Sequence, residues 1–388
     1  MVPENLYPSY QLVETEKQLL EIVPDLQSCS VIACDVEVDT LFHYSESFCL
    51  LQVSAWEKVW LVDPLAIRNL SPLAPIFANQ AVEKIFHGAD FDRRILKKYA
   101  GISCQNVFDT ELAARYLSLP SRLSYLLKNY FGVTVEKKFQ KYDWKRRPLP
   151  PEMRAYAASD VYWLTRLAKR LKEQLRQLKR LDWVEEECQW LAEKPSKEKE
   201  NQFLFLQFPG SGLFSRRKLV VLEAILQWRE TLARERDCPP FKILDNQTIK
   251  QLVHHLPVTE GELLRIEILS RKPAVFRQGL LEAIRTGLAV PEKEWPIYPK
   301  SLKSFPWKGE EKYQEREGIL RTWREQRGLA LGLDPSLILT RKQIRELAAR
   351  APLKLPDLEK VQGLRNWQKK TFGAEICALF SRSEEKQE

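Results

Sequence analysis

The stretch from Val221 to Pro257, VLEAILQWRETLARERDCPPFKILDNQTIKQLVHHLP, lies without a gap over Arg316 to Pro352, REGILRTWREQRGLALGLDPSLILTRKQIRELAARAP. At a constant offset of 95, Trp228 falls on Trp323, Arg229 on Arg324, Pro240 on Pro335, Ile243 on Ile338, Leu244 on Leu339, Leu252 on Leu347 and Pro257 on Pro352. A helical unit of about 80 residues therefore occurs twice. The copies are separated by PEKEWPIYPKSLKSFPWKGEE, whose four prolines break any helix, so they form a pair and not a solenoid. Residues 210–290 and 308–382 are expected to be two all-α domains. Trp228 and Trp323 sit on the apolar stripes of their helices and are expected to be core residues.

Upstream of the copies the pattern changes. YQLVET, then EKQLLEIVPDL with Thr15 as its cap, then VIACDVEV, FCLLQVSA and VWLVDPL read as strand, helix and three strands close enough to pair as a meander. Helices then alternate with the short strands KIFHG and NVFD, which indicates an α/β domain with a mixed sheet over residues 1–200. One long helix is expected from Met153 to Leu181, followed by the exposed linker EKPSKEKENQ.

Within this domain Asp35 and Glu37 stand two apart in an apolar strand. A period of two sends both carboxylates to one face and Val36 to the other. Buried acids require a cation or a partner. Tyr156 and Asp160 are four apart and share one helical face. Asp92 falls in the first turn of a helix that follows His87 and Gly88. Taken singly, each has an ordinary structural reading: a strand-end acid pair, a local hydrogen bond, a helix cap.

Their order resembles the three exonuclease motifs of the DEDD superfamily, in its tyrosine-containing branch. FHGADFD, NVFDTELAARYL and DWKRRPLPPEMRAYAASDVYWL are similar to ribonuclease D and the related exosome exonucleases, over roughly residues 10–190. The duplicated segments resemble HRDC domains. The resemblance implies an RNase H-like α/β 3′-5′ exonuclease domain followed by two HRDC-like helical domains. It implies Asp35, Glu37, Asp92 and Asp160 as ligands of two divalent ions, Mg²⁺ or Mn²⁺, and Tyr156 as the residue that orients the attacking water. The family spacing selects Asp92 over Asp90, and Asp109 belongs to a different, non-ligating motif. Val36 replaces the Thr common between the first two acids; its side chain faces away, so metal binding is expected to survive. Hard divalent ions take oxygen ligands, which four carboxylates supply.

KKFQKYDWKRR (137–147) sets six basic residues against one acid and interleaves Phe139, Tyr142 and Trp144. Cations bind phosphates and rings stack on unpaired bases, so this segment suits a single-stranded 3′ end, with Lys145, Arg146 and Arg147 as candidate contacts. The competing reading is a charged loop whose rings are tucked into the domain. A net charge of +9 favours a polyanionic partner. RNA is expected, tRNA precursors and other small structured RNAs by resemblance, with no protein partner implied. A DNA exonuclease of the Werner kind and a non-catalytic relative are the alternatives; the paired HRDC-like units and the intact acids and tyrosine favour a 3′-5′ exoribonuclease. Seven scattered cysteines without a Cys-x-x-Cys pair exclude a zinc or disulfide framework and point to the cytoplasm. Neither an export signal nor a membrane span is expected.

Overall fold

The computed structural model describes residues 8–134, 138–193, 203–297 and 311–385. The chain divides into two compact units, one made of Met1–Glu37, Phe48–Ser196 and Ser304–Glu388, the other of Val38–Ser47 and Lys197–Lys303.

The first unit is built on strands β1 (Gln11–Val13), β2 (Val31–Asp39), β3 (Ser47–Ala55), β4 (Lys58–Val62), β5 (Glu83–Phe86) and β6 (Val107–Asp109), in the order β1-β4-β3-β2-β5-β6. β3 and β4 are antiparallel, whereas β1 runs parallel to β4, and β2 and β6 each run parallel to β5. The sheet is mixed, as expected, and β2 lies in its middle. Every residue of β3 from Phe48 to Ala55 is buried. Burial at every position, Gln52 and Ser54 included, marks a strand covered on both faces.

The helices of this region are α1 (Glu16–Gln27), α2 (Ala74–Ala78), α3 (Ala89–Ala100), α4 (Thr110–Tyr116), α5 (Leu123–Phe131), α6 (Pro151–Tyr162), α7 (Leu164–Gln177) and α8 (Leu181–Glu193). Thr15 caps α1 in a reciprocal box with Gln18, as its sequence signals. The single long helix expected from Met153 to Leu181 is two helices instead, α6 and α7, and α8 begins where it was expected to end. Ser54 Oγ donates to the Val161 carbonyl at 2.9 Å. That carbonyl is drawn toward a strand at the point where α6 stops, and an inserted side chain is a recognised cause of such breaks. Lys179, at φ 55°, then turns the chain into α8.

The second unit contains α9 (Arg216–Glu235), α10 (Pro240–Ile243), α11 (Asn246–His255), α12 (Glu260–Leu264), α13 (Glu267–Ser270) and α14 (Ala274–Ala289). Val38–Ser47 belongs to it through Tyr44, whose amide donates to Asp237 at 3.2 Å and whose ring lies 5.4 Å from the Arg234 guanidinium. The later copy, α15 (Glu311–Leu331), α16 (Pro335–Ile338), α17 (Arg341–Arg350) and α18 (Asn366–Glu385), forms part of the first unit.

The two copies repeat each other internally. Trp228 meets Phe276 edge-on at 5.0 Å, and Trp323 meets Phe372 edge-on at 5.5 Å. Arg229 donates to the Leu244 carbonyl at 3.1 Å and Arg324 to the Leu339 carbonyl at 3.2 Å. Both tryptophans pack against their cores, as their helical spacing predicts. Among the described residues no helix is long and apolar enough to cross a membrane.

In the second unit α9 and α14 approach so closely that a Cβ on Gly287 would lie 2.8 Å from the Val221 Cα and 3.2 Å from the Ala224 Cβ. Gly287→Ala should therefore destabilise the protein by about 1–3 kcal/mol, the usual cost of overpacking. Gly261, around which a Cβ meets nothing within 4 Å, is the control. Its alanine variant should be neutral or stabilising by up to about 1 kcal/mol. Urea unfolding of both variants checks the contrast, and equal midpoints would show that the helices can separate freely.

Candidate active site

On β2, Val36 turns into the core at 6% exposure while Asp35 and Glu37 face the other way. α6 lies over that face and brings Asp160 to them. The carboxylate oxygens of Asp35, Glu37 and Asp160 fall within 4.8 Å of one another. Asp92, on the first turn of α3, lies close enough to Asp35 for each to shift the other's pKa, but outside that group of three. Tyr156, one turn before Asp160, lies beside that carboxylate. The four acids and the tyrosine singled out in the sequence thus meet in one place.

This crowding has an electrostatic consequence. Burial raises the Asp35 pKa to about 6, against the lowering effect of the Val36 backbone and Asp92 hydrogen bonds. Glu37 is pushed well above the carboxylate range, first by burial and then by Asp35, Asp160 and Asp92. Asp92 and Asp160 are raised by burial and next by the Asp35 charge. Tyr156 is raised by burial and by Asp160, so it remains a phenol. Four carboxylates cannot all ionise here without positive charge. An all-oxygen donor set of this density is suited to hard divalent cations.

Neighbouring residues fix the acids in place. Gly88, at φ 86°, turns β5 into α3 in the left-handed region that favours glycine. Asp109 then holds the turn: its carboxylate accepts the Gly88 and Ala89 amides at 2.9 Å each, and also caps α4 through the Glu111 amide at 2.9 Å. His87 Nδ1 lies 3.0 Å from Thr110 Oγ1. Asp109, which the family resemblance assigns only to a non-ligating motif, therefore orders the start of α3, one turn from Asp92. Asp90 points outward, 3.4 Å from Arg94.

The basic-aromatic segment divides between its two readings. Lys137, and the side chain of Lys138, lie outside the described residues. Phe139 and Trp144 are buried, and their rings lie 5.6 and 6.2 Å from that of Tyr156. They wedge the tyrosine and are not free to stack on bases. Arg146 is exposed, and Lys145 is half-buried with no ion-pair partner among the described residues. Arg147 is engaged elsewhere, donating to Asp63 at 2.5 and 2.8 Å, to the Cys49 carbonyl at 2.7 Å and to the Trp144 carbonyl at 2.8 Å. The expectation that Arg147 contacts RNA meets a guanidinium whose donors are already used within the fold.

Comparison with known proteins gives the arrangement its context. Residues 10–176 match the 3′-5′ exonuclease family, and residues 218–284 and 314–379 each match the HRDC domain. The molecule is a 3′-5′ exonuclease with a pair of HRDC domains. A ribonuclease D of Acidiphilium cryptum is 29% identical over 98% of this chain and 95% of its own length. The catalytic core of RRP6 from Trypanosoma brucei shares 29% identity and a TM-score of 0.62, covering 74% of this chain and 81% of that one. The ribonuclease D of Escherichia coli, at 21% identity, shares the fold with a TM-score of 0.68 over 96% of this chain and 99% of that one. The chain is an exoribonuclease similar to ribonuclease D over nearly its whole length.

Arg147 and Asp63 provide a test of the structural role. The Asp63 side chain is 2% exposed, and Arg147→Met would leave it buried without its countercharge. Losing one partner of such a pair costs about 3–5 kcal/mol, toward the lower end here because Arg147 itself is partly exposed. Urea denaturation should show this loss, while the salt dependence of RNA binding stays at the wild-type slope. A stable variant with a shallower slope would return Arg147 to the RNA contacts.

Proposed function

We propose that this protein removes nucleotides one at a time from RNA 3′ ends by hydrolysis, with Asp35, Glu37, Asp92 and Asp160 holding two divalent cations, Mg²⁺ or Mn²⁺. The observation that carries this reading is the convergence of Asp35, Glu37 and Asp160 oxygens within 4.8 Å, with Asp92 beside Asp35. Bound there, such ions lower the pKa of water and stabilise the leaving 3′ oxygen. The protein's own residues supply position. β2 presents two acids on one face, α3 and α6 supply one each, and the buried phenol of Tyr156 is wedged by Phe139 and Trp144 so that its hydroxyl can orient the attacking water.

Tyr156 acts as a hydrogen-bonding group and not as a base, because burial and Asp160 hold its proton on. Lys145 and Arg146 are the segment's candidates for the phosphates of the 3′ strand, as cations not spent on the core. The substrates that fit the family are tRNA precursors and other small structured RNAs. The cysteines, all free and mostly buried, fit a reducing cytoplasm.

Asp35→Asn should abolish hydrolysis with little loss of folding, since it removes a charge from the cluster and keeps the side-chain volume. Release of nucleotides from 3′-labelled RNA and DNA strands, with Mg²⁺ and with EDTA, checks this. A wild-type rate for the variant would contradict the metal assignment, and equal cleavage of both strands would favour a nuclease without sugar preference. Tyr156→Phe should slow the reaction on the order of 10²-fold, the scale of a positioned proton-handling group, with RNA affinity retained. An unchanged rate would leave Tyr156 a packing residue.

A further inference from the structure

Helix α8 stands between the second HRDC copy and the helix that carries Asp92, and it is tied to both. On one side the Glu186 carboxylate accepts the backbone amides of Asn366 at 2.6 Å and Trp367 at 2.8 Å. These are orphan donors at the start of α18, so a side chain from α8 caps a helix of the other domain. Glu187 accepts the Trp367 indole proton at 3.2 Å and lies 3.2 Å from the Arg365 guanidinium, with both side chains of the ion pair below 20% exposure. Trp183 stacks on Trp367 at 4.5 Å, and the Arg365 guanidinium lies 3.7 Å above the Trp190 ring.

On its other side α8 meets the exonuclease core. Cys188 Sγ accepts the Asp109 amide at 3.3 Å, and Asp109 is the residue that orders the Gly88 turn. Arg93, the neighbour of Asp92 on α3, donates to the carbonyls of Leu191 and Ala192. Those carbonyls belong to the last turn of α8, where no intrahelical donor remains.

The contacts are particular to the later copy. With Phe276 placed on Phe372, the earlier copy carries Arg271 where Trp367 stands and Leu269 where Arg365 stands. Neither could repeat the tryptophan stack or the pairing with Glu187.

We propose that the second HRDC copy braces the catalytic acids: it fixes α8, and α8 sets α3, and with it Asp92, through Arg93 and Asp109. Arg93 is a positioning residue on this account, and the account rests on the reading of Asp92 as a metal ligand. A metal site depends on its outer supports because ligand atoms must meet within fractions of an ångström. Loss of such a support commonly lowers metal affinity or activity about 10–100-fold.

The test uses the full chain and two variants, Arg93→Met and the double variant Glu186→Ala/Glu187→Ala. Mn²⁺ binding is measured by calorimetry without RNA. Mg²⁺ dependence of hydrolysis is then measured on a short unstructured oligoribonucleotide. Both variants should bind Mn²⁺ about 10-fold more weakly and need correspondingly more Mg²⁺ for half-maximal rate, with KM for the oligonucleotide unchanged. Arg93→Lys should recover part of the loss, because an ammonium can still reach one carbonyl. If the double variant does not fold, Glu187→Gln keeps an acceptor for the Trp367 indole and removes only the charge facing Arg365, and the same shift is expected in smaller degree. Wild-type metal affinity in the folded variants would overturn the proposal. So would a raised KM with an unchanged metal response, which would make the later copy an RNA-binding module. An Asp35→Asn protein that remained active would instead refute the metal reading itself; an inactive one, beside braced-site variants of wild-type metal affinity, would refute the brace alone.

Discussion

Mutual repulsion among Asp35, Glu37, Asp92 and Asp160 is the constraint around which the first unit is organised. Burial pushes each carboxylate toward its protonated form, and the charges of neighbouring acids add to this for Glu37, Asp92 and Asp160. Placing such charges in a protein interior costs several kcal/mol per ion unless they are paired. The fold accepts this cost at one point and surrounds it with rigid elements. β2 lies mid-sheet, β3 beside it is buried throughout, and α3 and α6 approach from separate parts of the chain. Cations that bind only the folded state would return stability by mass action, and a site filled in this way would couple folding to metal binding.

The supports around the acids use ordinary interactions at positions where geometry matters. Asp109 ties the Gly88 turn to α4, and Phe139 and Trp144 hold the ring of Tyr156. The two HRDC copies show how a duplicated domain diverges. Their internal packing repeats in the Trp–Phe edge contact and in the arginine that holds a leucine carbonyl. Their surfaces do not repeat: Arg365, Asn366 and Trp367 join the later copy to the exonuclease core, while in the other unit Arg234 of α9 and Asp237 just beyond it hold Tyr44.

Much of this was legible in the sequence because it depends on local periodicity. Alternation in VIACDVEV placed Asp35 and Glu37 on one face, and four-residue spacing aligned Tyr156 with Asp160. A gapless register marked the duplication, and helical stripes marked Trp228 and Trp323 as core. What was not legible depends on long-range contact. The break at Trp163 accompanies a hydroxyl arriving from Ser54, a residue 107 positions away from Val161 in the chain. The fate of Arg147 was set by Asp63, 84 positions away, so composition alone could not separate it from Lys145 and Arg146. The docking of Trp367 on α8 likewise joins residues 181 apart, and neither segment alone signals it.

The central claim is that these four acids hold the cations that carry out RNA hydrolysis. An anomalous difference map from crystals soaked in Mn²⁺ tests it most directly. The account predicts two peaks bounded by the carboxylates of Asp35, Glu37, Asp92 and Asp160, about 3.5–4 Å apart as in other two-metal sites. A protein active in Mn²⁺ whose peaks lie elsewhere, with the four carboxylates unliganded, would contradict it.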